Sequence, residues 1–224
     1  MPHVTIRWAP VLCALAASAC LWPAQALAQG IDGAKFQKFL ASDLHRSLVT
    51  QALGRIPPTV FKRCPALVSK GSNAMPLSPI TFNQDGVPNS GTWKQQYPVE
   101  GCGNDTILNV YFVATDEKVN TVVGVPGTTQ GTLQLQRDTL MYAHMGAGAK
   151  SGDCKTFDIA NTRFEDFGSR PLKERDPGPN AQYRLWWETW TLVGCGRTFD
   201  VPITFAPDAT GTKIMASSST VTER

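Results

Sequence analysis

The chain has 224 residues, a formal net charge of +3 and 17% charged residues. No run of Lys or Arg concentrates the small positive charge, so we expect no nucleic-acid partner. The length suits one large domain or two small ones, each able to bury a modest core.

The first segment has the pattern of a secretory signal peptide. A short start carries Arg7, an apolar run continues through Leu21, and small residues stand at Ala26 and Ala28. We expect cleavage after Ala28, which would remove residues 1–28 as the signal peptide. The apolar run is too short to span a bilayer comfortably, and no later segment is more apolar, so we expect no transmembrane anchor.

A lipoprotein signal is the alternative for this segment, because "ASAC" places small residues before Cys20. A lipid on Cys20 would anchor the chain to a membrane. Such signals usually have leucine where this chain has Ala17, and the A-x-A site downstream is the better match. We therefore expect no lipid on Cys20 and place the protein in the periplasm or outside the cell.

Two segments with a four-residue apolar repeat predict helices. In "GAKFQKFLASDLHRSLVTQALG", Asp32 is a candidate N-cap and Gly54 a stop. The stripe of this first helix is Phe36, Leu40, Leu44, Leu48 and Ala52. The segment "TLQLQRDTLMYAHMGAG" predicts a second helix with a weaker stripe of Leu133, Arg137, Leu140, Met141 and His144. Gly146 precedes Cys154 at a distance comparable to that of Gly54 from Cys64.

An internal repeat relates two further segments. "WKQQYPVEGCGNDTILNVYF" aligns without a gap on "WWETWTLVGCGRTFDVPITF", which places Trp93 on Trp186 and Phe112 on Phe205. Both copies alternate with a period of two and predict half-buried strands. The strand residues that share one face are Trp93, Gln95, Tyr97 and Val99 in the first copy, and Trp186, Glu188, Trp190 and Leu192 in the second. The Gly-Cys-Gly of each copy predicts the bend of a β-hairpin.

Four cysteines remain after the signal peptide: Cys64, Cys102, Cys154 and Cys195. An even number in an exported chain indicates two disulfides, for which three pairings exist. Because each copy of the repeat has one earlier cysteine and one in its Gly-Cys-Gly, the simplest pairing is Cys64 to Cys102 and Cys154 to Cys195.

These patterns together predict an α+β fold. It consists of two homologous units, 29–126 and 127–224, each with a helix, a small antiparallel sheet and one disulfide within the unit. The two units could also share one continuous core.

The order of the markers "W…GCG", "VPGTTQGTLQLQRD" and "W…GCGR" resembles that of a group of uncharacterised exported proteins of Gram-negative bacteria with a duplicated W…GCG unit. The resemblance covers most of the mature chain. It implies a location in the envelope or outside the cell, and it brings no activity and no catalytic residues with it.

The patterns of common active sites are missing. The mature chain has no Cys-x-x-Cys, and its two histidines, His45 and His144, lie in predicted helices, so we expect no metal site and no cofactor. Gly-x-Ser-x-Gly is absent, although a serine and a histidine could still meet in space. "MGAGAKSG" differs from a phosphate-binding loop, because Ala149 stands where the motif needs glycine.

Paired carboxylates are the enzyme hypothesis that is hardest to exclude, because glycoside hydrolysis needs only two of them across a cleft. Glu165, Asp166 and Glu188 are the candidates, but the first copy has Asn83, Gln84 and Gln95 at the matching positions. We therefore favour a non-enzymatic protein that binds an envelope protein or a glycan. Trp187 and Glu188 are its possible contact residues, since Trp187 points away from the core-facing tryptophans. The alternative is a small secreted hydrolase that acts on cell-wall or carbohydrate material through carboxylates.

Overall fold

A computed structural model describes residues 31–56, 68–101, 104–116, 118–167, 185–208 and 210–224. The predicted signal peptide, Cys20, and the predicted bridge between Cys64 and Cys102 lie outside these residues. The described chain divides into two compact units between Val123 and Gly124. We call the part before this point unit 1 and the part that begins at Gly124 unit 2.

Unit 1 has two helices and one antiparallel sheet. Its helices are α1 (Gly33–Leu40) and α2 (Asp43–Leu53). Its strands are β1 (Val68–Ser69), β2 (Asn73–Pro76), β3 (Thr81–Phe82), β4 (Pro88–Gly101), β5 (Asn104–Ala114) and β6 (Val119–Val123). The sheet runs in the order β1-β4-β5-β6, and β2 and β3 also pair with β4.

Unit 2 has one long helix on a second antiparallel sheet. The helix is α3 (Leu133–Ser151), and a short 3-10 helix covers Ser218–Thr220. The strands are β7 (Asp158–Phe167), β8 (Trp186–Gly194), β9 (Arg197–Asp208), β10 (Gly211–Ala216) and β11 (Thr222–Glu223). Their order is β10-β9-β8-β7, with β11 on β9. The predicted α+β class with antiparallel sheets is confirmed.

The central hairpins of the two sheets have the same register at the aligned positions. Trp93 pairs with Phe112 between β4 and β5, and Trp186 pairs with Phe205 between β8 and β9. The rings of each pair stack, with centroids 4.8 Å apart in unit 1 and 4.7 Å apart in unit 2. The alternation that predicted the strands is confirmed in both hairpins. Every second residue from Trp93 to Val99 and from Trp186 to Leu192 is buried.

The Gly-Cys-Gly of unit 2 is a two-residue hairpin bend. Gly194 pairs with Arg197, and Cys195 and Gly196 between them have φ values of 51° and 76°. Two positive φ values are typical of the type I′ turn, which follows the twist of the strands. Cys195 is bonded to Cys154, so this predicted disulfide is confirmed. In unit 1, Gly101 pairs with Asn104, and the predicted bend at Cys102 and Gly103 lies outside the described residues.

The first predicted helix is interrupted, which corrects the prediction of one continuous helix. Asp32 caps α1 as expected, but Ser42 then accepts a hydrogen bond from the backbone N–H of His45 and begins α2. Serine competes in this way for backbone donors and favours a new helix start. The break shifts the buried face, so Leu44 of the predicted stripe is exposed while His45 and Val49 are buried.

The second predicted helix exists, but its predicted stripe is wrong. Arg137 and Met141 of that stripe are exposed, and the helix continues past Gly146 to Ser151. The residues it buries are Gln136, Thr139, Ala143, Gly146, Ala147 and Ser151. Small residues let the helix lie close to the sheet: a Cβ at Gly146 would come 2.8 Å from Cγ1 of Val201. Because these buried residues are small or polar, a search for an apolar stripe does not find the buried face of this helix.

Candidate functional site

The strand β8 carries both predicted contact residues on opposite faces of the sheet. Trp186, Glu188 and Trp190 point to the buried side, where each is at most 9% exposed. Trp187 points to the other side and is 39% exposed. The alternation of a β-strand therefore separates the two residues that the sequence brings side by side.

Glu188 is a buried carboxylate whose two oxygens accept four hydrogen bonds. Oε2 accepts from the indole N–H of Trp190 at 2.8 Å, and Oε1 accepts from the indole N–H of Trp186 at 3.0 Å. Oε1 also accepts from the hydroxyl of Thr129 and from the backbone N–H of Gln130. A buried charge is tolerated when it is hydrogen-bonded in this way. Glu188 therefore holds parts of the fold together and is not available as a contact residue.

The segment that Glu188 holds is the connection from residue 124 to the start of α3. The hydroxyl of Thr162 on β7 donates to the carbonyl of Pro126, and the N–H of Thr128 donates to the carbonyl of Thr162. Gly127 has a φ of +104°, and a Cβ there would lie 1.9 Å from the carbonyl oxygen of Thr162. Only glycine allows this close approach to β7. The connection is thus fixed both by the strand and by the Glu188 carboxylate.

Glu188 does not come together with the other two candidate carboxylates. Glu165 is exposed on β7 and accepts a hydrogen bond at 2.6 Å from the hydroxyl of Thr189, which lies on the face opposite to Glu188. Asp166 is exposed and pairs with Trp187 in the ladder. The sheet therefore separates Glu188 from Glu165.

The Glu165 carboxylate is also held in its ionised form. Arg163 donates hydrogen bonds to it, and together with the bond from Thr189 this lowers the pKa of Glu165 below its ordinary value. A general acid in glycoside hydrolysis needs a raised pKa, so this environment suits an ion pair better than proton donation.

Trp187 lies in a row of side chains on the outer face of the second sheet. It pairs with Thr204 on β9, which in turn pairs with Met215 on β10, and directly paired residues share a face. Met215 is 37% exposed. This outer face therefore carries a tryptophan, a hydroxyl and a methionine side by side.

Gln95 stands in unit 1 where Glu188 stands in unit 2, and its bonds are different. Its Oε1 lies 2.7 Å from Nε2 of His45, and its Nε2 donates to the hydroxyl of Ser72 at 3.0 Å. The indole N–H of Trp93 and the hydroxyl of Tyr97 are buried and have no hydrogen-bond partner in the described part of the chain. The two hairpins therefore share register and stacking but differ in their buried polar groups.

The described part of unit 1 contains a cleft of about 510 Å³ beside Gln95. One wall comes from the two helices and includes Gln37, Leu40 and His45. The other wall comes from the strands and the residues before β2, and the cleft-lining residues there are Ser72, Asn73, Ala74, Gln95 and Tyr97.

His45 is a titratable group that is buried beside this cleft. The residue is 5% exposed, and its ring lies against those of Phe39 and Phe112. Burial lowers the pKa of His45, and the hydrogen bond to Gln95 offsets part of that effect. His45 is thus a satisfied core histidine. Among the described residues, no group of three or more His, Cys, Asp or Glu side chains is placed to hold a metal ion.

Sequence reasoning missed the polar groups of this cleft. His45 and Gln95 are 50 positions apart, and no local pattern connects them. For Glu188 the sequence did indicate burial. It lies two residues from both Trp186 and Trp190 on one strand, so its side chain is on the same buried face as theirs.

The chain matches no family model, no curated protein and no solved structure with which it was compared. No helix within the described residues is both long and apolar enough to cross a membrane.

Proposed function

We propose that this chain is an exported, disulfide-stabilised protein of the bacterial envelope or exterior that acts by binding and not by catalysis. The signal-peptide pattern of residues 1–28 and the four remaining cysteines support export into an oxidising compartment. The resemblance to exported proteins of Gram-negative bacteria points in the same direction.

The observation that carries this proposal is the separation of Glu188 from the other candidate carboxylates. Two cooperating carboxylates must face a common substrate, and in glycosidases they stand across a cleft. Glu188 is enclosed by four donors, and Glu165 lies on the opposite face in an ion pair with Arg163. The alternative, a secreted hydrolase that acts through these carboxylates, therefore has no pair that includes Glu188, and the lowered pKa of Glu165 disfavours it as a general acid.

We assign the binding role to the outer face around Trp187. An exposed tryptophan offers a large contact area at a small cost in side-chain entropy, and tryptophan is common among residues that dominate binding energies. Its partner would be an envelope protein or a glycan.

We also propose that the two units arose by duplication and that each has its own disulfide. The equal register of the hairpins at Trp93 and Trp186 supports common descent. By this proposal Cys64 pairs with Cys102, as Cys154 pairs with Cys195.

The proposed binding role can be tested by capture from native material with a matched pair of variants. The mature protein, its Trp187→Ala variant and its Met141→Ala variant are immobilised and exposed to envelope extract and culture medium. Met141 is the control, because it is an exposed apolar residue of the same unit on α3. We expect a reproducible partner that the wild type and Met141→Ala retain and that Trp187→Ala loses.

The rival hydrolase is tested with purified cell-wall material and polysaccharides. We expect no release of soluble products by the wild type. Hydrolysis that disappears in Glu165→Gln or Asp166→Asn would overturn the non-enzymatic role. A partner retained equally by Trp187→Ala would overturn the assignment of the contact face.

A further inference from the structure

The ladder between β7 and β8 brings an aspartate beside Trp187. An uninterrupted ladder would place residue 165 opposite Trp187, and Asp166 would then point to the buried side. The register instead shifts between Phe164 and Asp166, and Asp166 pairs with Trp187. A β-bulge of this kind re-aims a side chain, and bulges are common beside functional sites. Directly paired residues share a face and have Cβ atoms about 5 Å apart, so the Asp166 carboxylate lies beside the indole.

Within the described residues, neither of these two groups has a charge partner. Asp166 is exposed and forms no ion pair, and its Oδ1 accepts a hydrogen bond from the backbone N–H of Phe167 at 2.7 Å. The cations that lie over aromatic rings in the described chain are on other rings than that of Trp187. The neighbouring carboxylate of Glu165, by contrast, is compensated by Arg163. The outer face therefore presents an exposed indole and an uncompensated negative charge side by side.

The exposed cation Lys213 on the same face is too distant to compensate Asp166. Lys213 pairs with Ala206, whereas Trp187 pairs with Thr204, so Lys213 is two strands away and two positions further along. Strand spacings of about 4.8 Å and a rise of about 3.3 Å per residue put its Cα about 12 Å from that of Trp187. Exposed charges at such a distance are largely screened at physiological salt.

An indole face next to a carboxylate has the chemistry that recognises a cation. Tryptophan is the best aromatic partner for a cation, and a carboxylate forms charge-assisted hydrogen bonds with it. A guanidinium suits both groups, because it is planar, stacks on aromatic rings and donates to carboxylates. An anionic ligand would be repelled by Asp166. A neutral glycan would stack on the ring but would leave the charge of Asp166 uncompensated.

We propose that the outer face around Trp187 binds an arginine side chain of a protein partner. The guanidinium stacks on the indole of Trp187 and donates hydrogen bonds to the carboxylate of Asp166. This inference rests on the proposed binding role of that face, and it selects a basic protein segment over a glycan.

The test is an NMR titration of the ¹⁵N-labelled mature protein with deca-arginine. Deca-citrulline, which has nearly the same shape without the charge, is the control peptide. The signal that is followed is the indole N–H that disappears in Trp187→Leu. The net charge of the chain is +3, and removal of residues 1–28 takes away only Arg7, so the overall charge does not attract deca-arginine. We expect a saturable shift with deca-arginine that weakens as salt is added, and no saturation with deca-citrulline.

Two variants and a matched control make the result specific. Asp166→Asn removes the exposed charge and should weaken the binding of deca-arginine by about two- to fivefold. Asp138→Asn, on the exposed side of α3, makes the same change in net charge and should bind like the wild type. Trp187→Leu keeps an apolar side chain but loses the ring, and it should weaken binding by about two- to fivefold as well. Its titration is followed by the backbone amide of Thr204.

The proposal is overturned if deca-arginine does not saturate, if deca-citrulline binds equally well, or if Asp166→Asn binds deca-arginine as tightly as the wild type. The capture experiment separates this inference from the proposed function. A partner that Trp187→Ala loses and Asp166→Asn retains would overturn the arginine assignment, while the proposed binding face would stand. A captured glycan would have the same meaning.

Discussion

At the scale of single residues, Glu188 is the clearest case of a polar group with a structural role. Its carboxylate joins β8 to the connection that precedes α3 through the hydroxyl of Thr129 and the N–H of Gln130. Charge-assisted hydrogen bonds are stronger than neutral ones, and a buried donor left unpaired adds a further cost.

We therefore expect Glu188→Gln to destabilise unit 2 by about 2–3 kcal/mol, because the amide removes the charge and turns one acceptor into a donor that faces other donors. Equilibrium denaturation of both proteins measures the difference. Glu165→Gln is the control: it weakens an exposed ion pair and should cost roughly 0–1 kcal/mol. Equal losses for the two variants would show that the four bonds of Glu188 do not stabilise the fold.

His45 predicts how the stability depends on pH. Burial lowers its pKa in the folded chain below the ordinary value of 6.5. Well above pH 6.5 the His45 ring is neutral in the folded and in the unfolded chain. As the pH falls below 6.5, the unfolded chain takes up a proton more readily than the folded chain. The free energy of unfolding should therefore decrease as the pH falls through 6.5.

The measurement compares wild type with His45→Gln between pH 7.5 and pH 5.5. The wild type should lose more stability over this interval, by at most about 1.4 kcal/mol per pH unit for one proton. His144, whose pKa burial also lowers, is present in both proteins and cancels in the comparison. Parallel pH profiles of the two proteins would contradict the role given to His45.

At the scale of elements, the hairpins could be predicted and the helix faces could not. The period of two and the Gly-Cys-Gly of the repeat determine the parity of β8 and its bend at Cys195, and the structure has both. In α1 and α2, by contrast, one side-chain cap at Ser42 rotates the buried face. In α3 the buried face consists of small and polar residues, and such a face has no apolar signature.

The close approach of α3 to the sheet predicts opposite effects for two neighbouring glycines. A Cβ at Gly146 would lie 2.8 Å from Cγ1 of Val201, whereas a Cβ at Gly148 would have no atom within 4 Å. Both changes to alanine favour the helix by up to about 1 kcal/mol. Only Gly146→Ala overpacks the interface, which costs about 1–3 kcal/mol. Thermal or chemical denaturation should thus show a gain for Gly148→Ala and a net loss for Gly146→Ala. A gain for both would mean that α3 does not pack closely on Val201.

At the scale of the whole molecule, the sequence predicted the class of fold better than the sites. The α+β class and the bridge between Cys154 and Cys195 follow from local patterns and are present. The hydrogen bonds of Gln95 with His45 and of Glu188 with Thr129 connect distant parts of the chain, so they depend on how helix and sheet pack. Periodicity does not encode that packing.

By our proposal, the chain is exported and repeats one disulfide-bearing hairpin unit. Mass mapping of peptides from the native protein, digested without reduction, tests it most directly. Our account predicts a mature chain that begins at Gln29, with Cys64 linked to Cys102 and Cys154 linked to Cys195. An intact first segment of residues 1–28, or a Cys64 to Cys154 link, would contradict it.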